Sequence, residues 1–96
     1  MADTKFRLAA RVSSASPETI FPVLEKTLGR SAVTREDGEF RVEASMMGPS
    51  AKDLNRSLLS ALRRAEKRTR LRAEWTTEDG TTYRFFDYVL KKTVHP

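Results

Sequence analysis

Arginine and lysine are the residues in this sequence with a chemistry to offer. Between Gly48 and Arg72 the chain carries Lys52, Arg56, Arg63, Arg64, Lys67, Arg68, Arg70 and Arg72, opposed only by Asp53 and Glu66. From Arg63 to Arg72, six cations stand beside Glu66 alone, a surplus equal to the net charge of +5 on the whole chain. Residues 1–48, by contrast, are electrically balanced. Cations concentrated in this way create a local field that attracts phosphates or an acidic partner. A solvated helix end is the competing explanation, because cations near a helix C-terminus are stabilised by the macrodipole.

Catalytic chemistry has little to start from. The one histidine is His95, beside the C-terminal Pro96, where nothing in the sequence fixes its position. No Gly-rich phosphate loop, HExxH motif or nucleophile elbow occurs. Glu39, Glu43, Glu74 and Asp87 alternate with basic residues, a pattern whose default role is cross-strand ion pairing. The absence of cysteine excludes disulfides, thiolate metal sites and a cysteine nucleophile. Neither carboxylates nor histidines cluster in a metal-ligand spacing. We therefore expect no enzyme activity, no catalytic residue, no metal and no cofactor.

The elements that must position the cations can be read from periodicity. Ser50 followed by Asp53 has the spacing of an N-cap and an acid at the third helical position, which starts a helix over residues 50–68. At about 100° per residue from Lys52, the residues Ala51, Leu54, Leu58, Ala61, Leu62 and Ala65 fall within roughly 180–280°. Lys52, Arg56, Arg63 and Lys67 fall within roughly 0–60°, and Leu59 lies off the apolar arc. A stripe so exposed predicts that Arg63→Ala with Lys67→Ala changes stability by no more than roughly 0.5 kcal/mol.

Upstream, Lys5 to Ser13 alternates, with Phe6, Leu8, Ala10 and Val12 on one side, the pattern of a half-buried strand. Ser16-Pro17-Glu18 starts a helix that Gly29 stops, with Pro22 predicting either a kink or a true start near Phe21. Ala32–Glu36 and Glu39–Met46 flank Asp37-Gly38, a hairpin with a type I′ turn. After the basic helix, Arg70–Thr77 and Thr81–Lys92 flank Asp79-Gly80. A two-residue turn there pairs Trp75 with Arg84 and Ala73 with Phe86, so that Phe86, Tyr88 and Leu90 join Leu71, Ala73 and Trp75 on the inner face. Residues 93–96 read as a frayed tail.

The order β-α-β-β-α-β-β predicts an α+β fold: a two-layer sandwich, a mainly antiparallel sheet with two helices on one face, ferredoxin-like or related. Its 96 residues suit a single domain. No apolar run approaches a membrane span and the N-terminus lacks an apolar core, so we expect a soluble cytoplasmic protein with no membrane partner. The order also resembles that of RNA-recognition-motif domains with one strand added. The segment Gly38–Ala44 departs from their signature, since it holds one aromatic, Phe40, predicted to face the core. Val12–Leu24 looks like the opening of START-related lipid- and polyketide-binding domains. Those domains need a longer sheet and a long C-terminal helix, so this likeness implies no more than a strand followed by a proline-capped helix.

With these strand parities the face turned away from the helices presents Lys5, Arg7, Arg11, Arg41, Arg72, Tyr83 and Phe85. Aromatics interleaved with arginines can stack bases while the cations hold phosphates. The same aromatics are also explained by a dimer surface or by ordinary scatter. The leading expectation is a small nucleic-acid-binding domain, for RNA more than duplex DNA. Lys52, Arg56, Arg63, Arg64, Lys67, Arg68, Arg70 and Arg72 would contact phosphates, and Tyr83 and Phe85 would stack bases. The alternative is a protein-interaction or homo-oligomerisation module, possible as a homodimer, whose basic helix meets an acidic protein surface. A third candidate is a small-molecule pocket near Trp75, Met46 and Met47.

Overall fold

In the computed structural model, which describes residues 3–94, the alternating segment near the N-terminus forms strand β1 (Thr4–Ser13), around which the rest is arranged. Helix α1 (Pro17–Leu28) follows, then a 3₁₀ turn (Arg30–Ala32), strands β2 (Val33–Glu36) and β3 (Glu39–Gly48), helix α2 (Ala51–Ala65), and strands β4 (Arg70–Thr76), β5 (Thr82–Phe86) and β6 (Val89–Val94). All six strands belong to one antiparallel sheet in the order β2-β3-β1-β4-β5-β6. Because side chains alternate along a strand, β1 sends Phe6, Leu8, Ala10 and Val12 to one face, where they are buried. Phe40 and Val42 of β3 and Leu71, Ala73 and Trp75 of β4 join them, and Ile20, Leu24, Leu54, Leu58, Leu59 and Leu62 of the helices close over that face. The fold is thus α+β, with both helices on one side of the sheet. Among the described residues no helix is long and apolar enough to cross a membrane.

Local chemistry explains the boundaries. Asp37 and Gly38 both have positive φ (46° and 79°), the backbone of the expected type I′ turn. Helix α1 starts at Pro17 and runs on through Pro22, so it does not begin near Phe21. Gly29, at φ 92°, ends it, its N–H donating to the Glu25 carbonyl. Helix α2 begins as its cap predicts: the Ser50 hydroxyl accepts from the Asp53 N–H at 3.1 Å and donates to the Asp53 carboxylate at 2.9 Å.

Gly48 joins β3 to this helix at close quarters. A Cβ there would lie 2.6 Å from Leu54 Cδ2 and 2.7 Å from Leu54 Cγ. The contact includes the branch point of a buried side chain, which cannot simply swing away. Gly48→Ala is expected to destabilise the protein by about 1–3 kcal/mol, measurable by urea unfolding; no loss would mean that the first turn of α2 shifts freely.

Two expectations fail after the second helix. The β4–β5 connection is the five-residue segment Thr77–Thr81, not a two-residue turn. The Thr77 N–H donates to the Thr81 carbonyl, and Asp79 accepts from the Thr77 hydroxyl and from the Thr81 N–H at 3.1 Å. These bonds, the hydroxyl foremost, hold the Asp79 carboxyl below the usual carboxylate range. The longer loop shifts the register by one, so Trp75 lies opposite Tyr83 and Ala73 opposite Phe85. Since the side-chain period is two, that shift exchanges the faces of every β5 residue. The second failure is the chain's reversal at Asp87-Tyr88, which splits the expected single strand into β5 and β6. Thr93 and Val94, at the start of the expected tail, pair with Tyr83 and Thr82, while His95 and Pro96 lie outside the described residues.

Candidate nucleic-acid interface

Seven of the eight cations expected to act together are divided among three places, and Arg63 stands apart. Lys52, Arg56 and Arg64 are exposed on the outer surface of α2, away from the sheet. Lys67 and Arg68 follow the end of the helix at Ala65, so Lys67 does not continue a helical stripe. Arg70 and Arg72 alternate with buried Leu71 and Ala73, which sends them to the sheet face opposite the helices. The stripe on α2 is also narrower than expected. Leu59 is fully buried, together with Asn55, because the buried arc is centred nearer Leu58 and Leu62 than the apolar residues alone suggested. Asn55 can occupy that arc because its polar atoms are satisfied there.

Arg63 is a structural residue, contrary to its assignment as a phosphate contact. Its Nε donates to the Thr69 carbonyl at 3.0 Å, its guanidinium lies 3.3 Å from Asp87 Oδ1, and it stacks 5.3 Å from the centroid of Tyr88. Asp87 is held from several sides. Its N–H donates to the Leu71 carbonyl at 2.7 Å, its carboxylate accepts from the Leu71 N–H at 3.0 Å, and its carbonyl accepts from Asn55 Nδ2 at 2.7 Å. Asn55 Oδ1 in turn accepts from the Trp75 indole N–H at 3.1 Å. These bonds fix Asp87 at φ 57° and fasten the β5–β6 turn to α2. Arg63→Ala is therefore expected to cost about 1–2 kcal/mol, and Lys67→Ala about nothing. Thermal unfolding of the two single variants separates them, and equal melting temperatures would show that Arg63 is no anchor.

Tyr83 and Phe85 face the helices, not the open side. Phe85 is buried in the core and Tyr83 is half-buried against it. Phe86 takes the expected aromatic position on the open face. The pocket proposed near Trp75, Met46 and Met47 does not assemble either. Trp75 is fully buried and packs edge-on against Phe6, whereas Met47 is exposed on the opposite face of the sheet.

What the open face does bring together is a line of register crossing the whole sheet: Thr34, Arg41, Arg11, Arg72, Phe86 and Val89 stand side by side on successive strands from β2 to β6. Three arginines on adjacent strands, about 4.8 Å apart, repel one another, and like charges directly opposite destabilise a sheet. Glu36 lies 3.8 Å from Arg41, a loose pair. Arg72 lies over the ring of Phe86, 4.5 Å from its centroid. Arg11 has no acidic partner within ion-pair distance among the described residues. The three line an open depression of about 570 Å³, floored by Ala9 and bounded by Glu43, Glu74 and Arg84. Among the described residues no group of three or more acidic or histidine side chains has the geometry to hold a metal ion. The chemistry on offer is recognition of an anion by planar donors beside an aromatic surface.

The fold and this face define an α+β sandwich with one bare, arginine-bearing sheet surface. Compared with known proteins, the chain matches no family model, no curated protein and no solved structure.

Proposed function

We propose that this protein binds single-stranded nucleic acid, RNA in preference to duplex DNA, on the open face of its sheet. One observation carries the reading: Arg41, Arg11 and Arg72 adjoin one another across three central strands, and the line runs on to Phe86. A concentration of charge that the fold must tolerate makes sense where a polyanion neutralises it. A sheet face offers no helix or ribbon to enter a duplex groove, but it suits splayed bases and an accessible backbone. The placement of β1 between β3 and β4, with both helices behind, supports a ferredoxin-like class extended by β5 and β6. A cytoplasmic setting agrees with the cysteine-free sequence. The proposed contacts are Arg11, Arg41, Arg70 and Arg72, and the exposed cations of α2 add only a diffuse field.

Binding of a labelled mixed-sequence RNA and of duplex DNA at about 50 and 200 mM salt tests this directly. RNA binding that falls steeply with salt and exceeds duplex binding is expected. The absence of RNA binding at the lower salt overturns the proposal.

A protein-interaction module is the second reading, favoured by Tyr88, Val89 and Leu90, which are 47, 58 and 48% exposed beside the β6 edge. It predicts a mass that rises with concentration. One feature of that edge opposes strand pairing with a second copy, the register shift at Arg84/Phe85.

A further inference from the structure

Glu43 works against a purely electrostatic interface, because a carboxylate in the middle of a phosphate-binding face repels its ligand. It stands directly opposite Ala9 on β1, and Ala9 is opposite Glu74 on β4. This line of register runs parallel to the arginine line, about 7 Å away along the strands. The two acids differ in what they already do. Glu74 pairs with its cross-strand neighbour Arg84 at 3.0 Å. Glu43 makes no ion pair or side-chain hydrogen bond among the described residues, and it is exposed between the depression over Ala9 and a second one of about 340 Å³ that reaches Ser31 and Ala32. Its neighbours on the open face are Arg41 and Ser45 along β3, Ala9 opposite, and Arg7 and Arg11 diagonally across. They leave its oxygens free to accept from a ligand laid over Ala9.

An ionised carboxylate can only accept hydrogen bonds. It therefore suits a base edge that presents an amino group and is mismatched with one that presents a carbonyl. Cytosine and uracil have nearly the same shape and differ on the exposed edge at two positions, an N4 amino group and an unprotonated N3 in cytosine against an O4 carbonyl oxygen and an N3–H in uracil; a carboxylate set against position 4 accepts from cytosine and meets only a carbonyl oxygen in uracil. Ala9, with no more than a methyl group, leaves room for a base between Glu43 and Glu74.

We infer that Glu43 reads a base: the arginine line holds the phosphates, and the Glu43 carboxylate accepts from the exocyclic amino group of a cytosine laid over Ala9. This rests on the nucleic-acid reading above and adds a sequence preference to it. The guanidinium groups supply affinity that is blind to sequence. Glu43 lowers that affinity for every strand and recovers it where an amino group meets it, so discrimination comes from a penalty as well as a bond.

The test compares labelled oligocytidylate and oligouridylate of about ten nucleotides binding to the full chain and to Glu43→Thr, with threonine chosen because it suits an exposed strand position. The wild-type protein is expected to prefer oligocytidylate by about tenfold. In Glu43→Thr the preference should vanish, with weaker binding of oligocytidylate and equal or tighter binding of oligouridylate. Equal wild-type affinities overturn the inference but leave the nucleic-acid reading standing. So does a preference unchanged in the variant, or a uniform tightening on both oligonucleotides, which would mark Glu43 as a repulsive charge and nothing more. Failure of the wild-type protein to bind either oligonucleotide overturns both.

Discussion

Asn55→Ala is expected to destabilise this protein by about 2–4 kcal/mol, a large effect for one polar residue in the middle of a helix. Asn55 connects three elements. From α2 it donates to the Asp87 carbonyl in the β5–β6 turn at 2.7 Å and accepts from the Trp75 indole of β4 at 3.1 Å. Both partners survive the substitution and lose their bond to Asn55. Trp75 is fully buried, so its N–H loses its acceptor without gaining water. The Asp87 carbonyl belongs to a residue held in the left-handed region, and its remaining supports come from Leu71 and Arg63. Urea unfolding measures the loss, with an unchanged slope expected if the unfolded state is unaffected. Trp75→Phe removes the donor from the other side, and the double variant should lose less than the sum of the two single ones by about 1 kcal/mol or more. Additive losses, or a loss for Asn55→Ala below about 1 kcal/mol, would mean that water already satisfies these groups.

The same network explains where the sequence was legible and where it was not. β1, the β2–β3 hairpin and the start of α2 are written in local chemistry: alternation from Phe6 to Val12, Asp37-Gly38 at the turn and the Ser50–Asp53 cap, whereas Pro22 left the start of α1 open between Pro17 and Phe21. Each can be read without knowing what lies across the fold. The β4–β5–β6 region is set by contacts between distant residues. Asp79-Gly80 looks like a two-residue turn, but Thr77 and Thr81 bond to each other and to Asp79, and this lengthens the loop. One step of register then exchanged Phe85 for Phe86 on the open face. Asp87-Tyr88 carries no glycine, so nothing local announced a reversal; the left-handed Asp87 is supported by Leu71, Asn55 and Arg63, which lie 16, 32 and 24 positions away in the chain. Arg63 was misread for the same reason, since a cation on a helix surface looks solvated until its partner is known. On the candidate site, the open-face arginines Arg11, Arg41 and Arg72 followed from strand parity alone. Their alignment in one line did not, because register across three strands depends on how β3 and β4 each meet β1.

Replacing that line is the decisive functional experiment. Arg11→Gln, Arg41→Gln and Arg72→Gln together should weaken binding of single-stranded RNA at about 50 mM salt on the order of a hundredfold, and lower the salt slope by about 2. The expectation follows from counterion release, in which each lost phosphate contact removes about 0.7 from the slope on a single strand. The control is Lys52→Gln, Arg56→Gln and Arg64→Gln, which removes the same charge from the outer surface of α2. If contacts on the sheet dominate, this second triple variant loses only a few-fold, through the weakened long-range field. Stability provides an independent readout. Arg41 and Arg72 both stand directly opposite Arg11, so relieving that repulsion should leave the first variant as stable as the wild type or slightly more so. Equal losses in the two variants would mean that net charge, not position, governs binding. A greater loss in the α2 variant would move the interface to the helix and overturn the sheet-face reading. Loss of affinity in a protein whose fold has become no weaker is the result expected of residues kept for a ligand at a cost to the scaffold.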